Sequence, residues 1–70
     1  MQQLTKKFEF ENFVEALDFV NKIGKLAEAE NHHPDITFGW GYVEVELFTH
    51  SENKVTQKDH LLLGKIVELY

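Results

Sequence analysis

The sequence predicts an α+β domain: an antiparallel β-sheet with helices packed on one face. Three observations lead there. Two regions carry apolar residues with the alternation of half-buried strands. Two others have the three-and-four spacing of amphipathic helices, each opened by a capping residue. Their order is strand, helix, two strands, helix, with no internal repeat.

The first strand is predicted over about residues 3–10, where Leu4, Phe8 and Phe10 fall on one side and Thr5, Lys7 and Glu9 on the other. Asn12 followed by Glu15 reads as a helix N-cap with a reciprocal carboxylate, so a helix starts there. Phe13, Ala16, Leu17, Val20, Ile23, Leu26 and Ala27 give it one broad apolar face, with Glu15, Asp18, Asn21, Lys22, Lys25 and Glu28 outside or at the flanks. Gly24 interrupts this helix at a cost of about 1 kcal/mol relative to alanine, which points to a close approach of helix and sheet. The helix stops near His32, because the residue before Pro34 is pushed out of the helical region.

From Ile36 to Phe48 the strand period returns: Ile36, Phe38 and Trp40 alternate, then Val43, Val45 and Leu47 against Glu44 and Glu46. Gly39 and Gly41 supply the turn of an antiparallel hairpin, with Trp40 and Pro34 as packing and turn residues. Thr56 with Asp59 repeats the capping pattern and opens a last helix. Its buried stripe is Leu62, Ile66 and Leu69 with Leu63, Val67 and Tyr70, leaving Lys58, Lys65 and Glu68 wet.

The chain of 70 residues reads as a single domain spanning residues 1–70, with a core small enough that self-association is the natural extra source of burial. Without cysteine there is no disulfide and no thiolate zinc centre. The formal charge is −5, the lysines are scattered from Lys6 to Lys65 and arginine is absent, so a phosphate backbone is repelled and bidentate phosphate recognition has no donor. Nucleic acid is therefore not an expected partner. No apolar run approaches the roughly 20 residues of a membrane span, and the first ten residues hold no signal-peptide core. The expectation is a soluble, cytoplasmic protein that does not engage a membrane.

Chemistry concentrates at Glu28, His32, His33 and Pro34, with His50 further on. Glu28 and His32 are four apart, so on a helix the carboxylate is expected to hold that imidazole in one tautomer. Pro34 drives His33 towards an extended conformation, so the adjacent rings diverge and can flank a ligand. His50, at the end of the hairpin's second strand, is expected to approach the same place if that strand lies beneath the helix end. His60, inside the last helix and without a partner, reads as surface decoration. Zinc is the competing reading, but two ligands three to five apart on one element are missing. Asp59 reads equally as a support for the helix start.

Glu28, three residues, His32-His33-Pro34, five residues, Trp40, nine residues, His50, eight residues, Asp59: this spacing resembles the signature of the pterin-4a-carbinolamine dehydratases. The likeness runs from Lys7-Phe8-Glu9-Phe10, similar to the family's first strand, through the last helix. It implies helices on one side of a four-stranded antiparallel sheet, assembly into a homodimer or homotetramer, and a pterin as substrate. The implied reaction is loss of water from 4a-hydroxytetrahydropterin, left by aromatic amino acid hydroxylases, to give quinonoid dihydropterin, with neither metal nor cofactor.

Carried over by position, His32, His33 and His50 form the catalytic set. Pro34, Thr49, Ser51 and Glu52 line the pterin pocket, and Glu28 and Asp59 orient the histidines or the helix that bears them. Three departures accompany the likeness. The helical segment that commonly precedes the first strand is expected to be missing. Lys54-Val55 stands where relatives frequently carry Gly-Leu, and Asn31 where some carry aspartate. Some relatives also act as dimerisation cofactors of a homeodomain transcription factor, so the alternative reading is an interaction module with a vestigial site.

Overall fold

A computed structural model describes residues 3–70. The elements follow the predicted order: β1 (Leu4–Glu9), α1 (Phe13–Glu30), β2 (Asp35–Gly39), β3 (Tyr42–Leu47), a 3-10 turn (His50–Glu52) and α2 (Gln57–Leu69). The sheet order is β1-β3-β2, antiparallel throughout, with β3 in the middle. Among the described residues the sheet has three strands, one fewer than the family resemblance implies.

Val43, Val45 and Leu47 of β3 point to one face and are fully buried, and Phe8 of β1 sits opposite Val43 on that same face. Ala16, Phe19 and Ile23 of α1 and Leu62 and Ile66 of α2 close over them. Both helices thus share one side of the sheet. The stripe of α1 is turned from the predicted one. Phe19, which the three-and-four count passed over, is buried against Phe8, Phe10 and Tyr70, whereas Phe13 and Leu17 are exposed at one flank. Val67 of α2 and Tyr70 just beyond it also remain exposed, although Tyr70 packs its ring on Phe8 and donates its hydroxyl to the Glu9 carbonyl at 2.8 Å.

Both helix starts are capped as the sequence predicts. The Glu15 N–H donates to Asn12 Oδ1 at 2.9 Å, while the Glu15 carboxylate reaches one residue further back, to the Glu11 N–H. At Thr56 the reciprocal box with Asp59 is complete.

The glycines act differently from their sequence reading. A Cβ on Gly24 would meet nothing within 4 Å, so no close helix–sheet approach explains it. Gly24→Ala is therefore expected to stabilise the fold by about 0.5–1 kcal/mol, a rise of several degrees in Tm, measurable by thermal denaturation. At the hairpin tip, none of the described glycines has a positive φ. Gly41 is required by proximity: a Cβ there would lie 2.9 Å from the Phe10 carbonyl oxygen, and the Phe10 N–H donates to the Gly41 carbonyl at 2.8 Å. Trp40 between them is 69% exposed, a turn residue that does not pack.

Candidate active site

The C-terminus of α1 decides where its histidines go. Asn31 adopts the left-handed conformation (φ 53), its N–H bonding back to Glu28 and the His32 N–H to the Ala27 carbonyl at 3.1 Å. This double closure stops the helix before Pro34 has any say. His32 thereby leaves the helical cylinder and cannot stack over Glu28. The expected Glu28–His32 pair is replaced by two others: Glu28 Oε2 accepts from His33 Nε2 at 2.5 Å, and Asp59 Oδ1 accepts from His32 Nε2 at 2.6 Å.

Asp59 is the hub. Its side chain is fully buried at the start of α2, and it accepts from three segments of chain. His32 comes from the end of α1, and Thr49 Oγ1, just after β3, donates at 2.7 Å to Oδ2. The Thr56 N–H donates to the same Oδ2 at 2.9 Å. Because the single Thr49 hydroxyl proton goes to Asp59, the 2.7 Å contact between the two threonine hydroxyls must be donated by Thr56. No buried side-chain nitrogen or oxygen among the described residues lacks a partner.

Burial alone would raise the Asp59 carboxyl. The Thr56 backbone N–H, then the hydrogen bonds from His32 and Thr49 and the His32 charge, outweigh it and hold the group below the usual carboxylate range. A carboxyl depressed by folding adds stability above its unfolded value, near 3.9, and loses it as pH falls through the folded value. The urea midpoint is therefore expected to fall below about pH 4. Asp59→Asn, already lacking this term, is expected to show a shallower acid decline.

His32, His33 and His50 border one hollow of about 280 Å³, together with Thr49 and Ser51. Asn31, Phe48 and Lys58 complete its wall. His50 lies not at a strand end but at the start of the 3-10 turn, which Asn53 closes in the left-handed conformation (φ 58). Its ring meets Phe48 edge-on, with centroids 5.2 Å apart. Pro34 is half-buried in the link to β2 and Glu52 is exposed; neither borders the hollow. His60 is exposed on α2, away from the three.

Phe48 and Lys58 escaped the sequence reading. The only available signal for Phe48 was the break in alternation at Leu47-Phe48, and for Lys58 its place in the first turn of a helix capped at Thr56. Chemically, the hollow offers three imidazoles, two of them with one ring nitrogen already bonded to a carboxylate. That arrangement suits proton transfer to and from a small polar ligand.

Comparison with known proteins gives a consistent result. The sequence profile described as pterin 4 alpha carbinolamine dehydratase matches residues 1–69. A protein of Rubrobacter xylanophilus, provisionally named a pterin-4-alpha-carbinolamine dehydratase, is 52% identical over 66 residues, covering 94% of this chain and 62% of its own. A Methylococcus capsulatus protein with the same provisional name is 52% identical over 67 residues, covering 96% of this chain and 59% of its own. The chain thus spans about three fifths of the length of these relatives. Among solved structures, a transcriptional coactivator/pterin dehydratase from Brucella melitensis superposes with a TM-score of 0.88 at 35% identity, over 94% of this chain and 70% of that one. A pterin dehydratase-like protein described as a RuBisCO assembly factor of the alpha-carboxysome shares the fold at a TM-score of 0.78 and 23% identity, over 91% of this chain and 74% of that one.

Proposed function

This chain belongs to the pterin 4 alpha carbinolamine dehydratase family, and from that premise we propose that it eliminates water from a 4a-hydroxytetrahydropterin to give the quinonoid dihydropterin. The observation that carries the reading is the meeting of His32, His33 and His50 around a single hollow. Elimination needs an acid to protonate the departing 4a-oxygen, so that the carbon–oxygen bond breaks with release of water. It also needs a base to take the proton from the adjacent ring nitrogen as the carbon–nitrogen double bond forms. Histidine serves either role near neutrality.

In this proposal His32 and His33 address the hydroxyl from its two faces and His50 is the base. Ser51 borders the ring's edge, while Pro34 and Glu52, pterin-pocket positions of the family pattern, stand outside the hollow. Glu28 and Asp59 orient the imidazoles. The product re-enters tetrahydrobiopterin recycling, and the working form is a cytoplasmic homodimer or homotetramer.

The test is to generate the carbinolamine enzymatically and follow its decay in the ultraviolet, with and without the protein. Acceleration is expected, and His50→Ala is expected to lose about 100-fold or more of it. Full activity in that variant would end the assignment of the base. A second reading draws on the Brucella structure, described as a transcriptional coactivator/pterin dehydratase: an interaction module with a vestigial site. No acceleration by the unaltered protein would favour it.

A further inference from the structure

Thr49 borders the hollow, yet its hydroxyl proton is already committed and cannot be donated to a ligand. The residue is buried, its hydroxyl proton goes to Asp59 Oδ2 at 2.7 Å, and its oxygen accepts from the Thr56 hydroxyl, also at 2.7 Å. The direction of this chain of bonds is forced. Asp59 accepts at both oxygens, from Thr49 and the Thr56 N–H at Oδ2 and from His32 at Oδ1. An ionised carboxylate so surrounded requires the hydrogen of the short contact to sit on the imidazole. His32 is therefore held with its proton on Nε2.

The opposite nitrogen, Nδ1, makes no hydrogen bond to the described residues. It is not sealed either, since no buried side-chain nitrogen lacks a partner and the His32 side chain is 17% exposed. We propose that Thr49 is a positioning residue rather than a pterin contact, and that through Asp59 it confines His32 to proton exchange at Nδ1. This rests on the dehydratase reading of the site.

In the elimination, His32 in its doubly protonated form gives the Nδ1 proton to the departing oxygen and is left as the neutral Nε2–H form that Asp59 holds. Asp59 itself stays ionised throughout. The carboxylate takes no proton; it fixes which nitrogen can give one, the part a buried aspartate plays behind a catalytic histidine. Thr56 contributes by donating its hydroxyl to the Thr49 oxygen, which favours the orientation that points the Thr49 proton at Asp59.

The test uses Thr49→Val, close in shape but without the hydroxyl, and Thr49→Ser, which keeps it. In the unaltered protein, 15N spectra of the neutral form of His32, recorded at a pH above its titration, are expected to show a protonated Nε2 and a pyridine-like Nδ1. In Thr49→Val that signal is expected to move towards a mixture of tautomers. kcat is expected to fall about tenfold, the lower end of the loss seen when the outer partner of a metal-bound histidine is removed, with KM changed less than about twofold. Thr49→Ser is expected to restore both the spectrum and kcat. Circular dichroism confirms that the variants compared are folded.

A raised KM with unchanged kcat would make Thr49 a substrate contact and overturn the proposal. So would an unaltered protein carrying its His32 proton on Nδ1, or a Thr49→Val spectrum identical to the parent's. The spectra need no turnover. If the unaltered protein fails to dehydrate the carbinolamine, the dehydratase reading falls, while the tautomer result still stands or falls alone.

Discussion

Asp59→Ala is expected to lose about 3–5 kcal/mol of stability, the cost of removing one partner from a buried charged network. For a domain of 70 residues, where the whole margin is on the order of 5 kcal/mol, only about 0–2 kcal/mol would then remain and unfolded protein would become appreciable at room temperature. The magnitude follows from what the carboxylate joins. The end of α1, the segment after β3 and the start of α2 meet at its two oxygens, and alanine leaves the Thr56 N–H, the Thr49 hydroxyl and His32 Nε2 without their acceptor. It also breaks the capping box of α2, a loss of about 1 kcal/mol by itself.

Urea denaturation followed by far-ultraviolet circular dichroism measures the effect. Tryptophan fluorescence is the poorer probe, because Trp40 sits exposed at the hairpin tip. A fall of the midpoint by less than about a quarter would mean that the three segments are held by the hydrophobic core and that Asp59 is incidental.

His33→Ala is expected to behave in the opposite way. Its side chain is 55% exposed and its partner Glu28 is 78% exposed, so the pair is solvent-screened and its removal is expected to change stability by no more than about 0.5 kcal/mol. Dehydration, in contrast, is expected to fall by about 100-fold or more, since a positioned acid or base contributes on that scale. The two variants separate holding from doing: one side chain maintains the architecture that the other uses. Stability unchanged together with full activity in His33→Ala would remove His33 from the reacting set.

Much of this was legible in the residues themselves. The order of elements, the hairpin, both helix caps and the face of β3 that carries Val43, Val45 and Leu47 follow from period and capping alone. The positions proposed for chemistry were legible only through their spacing, because His50 and Asp59 are far from His32 along the chain.

What could not be read is the pairing. A four-residue spacing made Glu28 the natural partner of His32, but that rule holds only inside a helix. Asn31, an asparagine able to adopt a left-handed backbone, ends the helix one residue too early for it. The same limit hid the second role of Asp59, whose capping position was evident from Thr56 but whose bonds to Thr49 and His32 are tertiary. Phe19 was missed for a different reason. The helical stripe is wide, and counting threes and fours from Phe13 picks out Ala16, Ile23 and Ala27 in the core together with Phe13 and Leu17 at its edge, while stepping over Phe19.

The proposed dehydration requires the pterin to sit in the hollow between the two helix ends. Titrating 15N-labelled protein with a stable dihydropterin, which cannot undergo the elimination, tests this directly. Shifts are expected at His32, His33, His50 and Ser51, with little change at the exposed Phe13, Leu17 and Trp40. Shifts confined to the latter group, with the three imidazoles undisturbed at saturation, would contradict it.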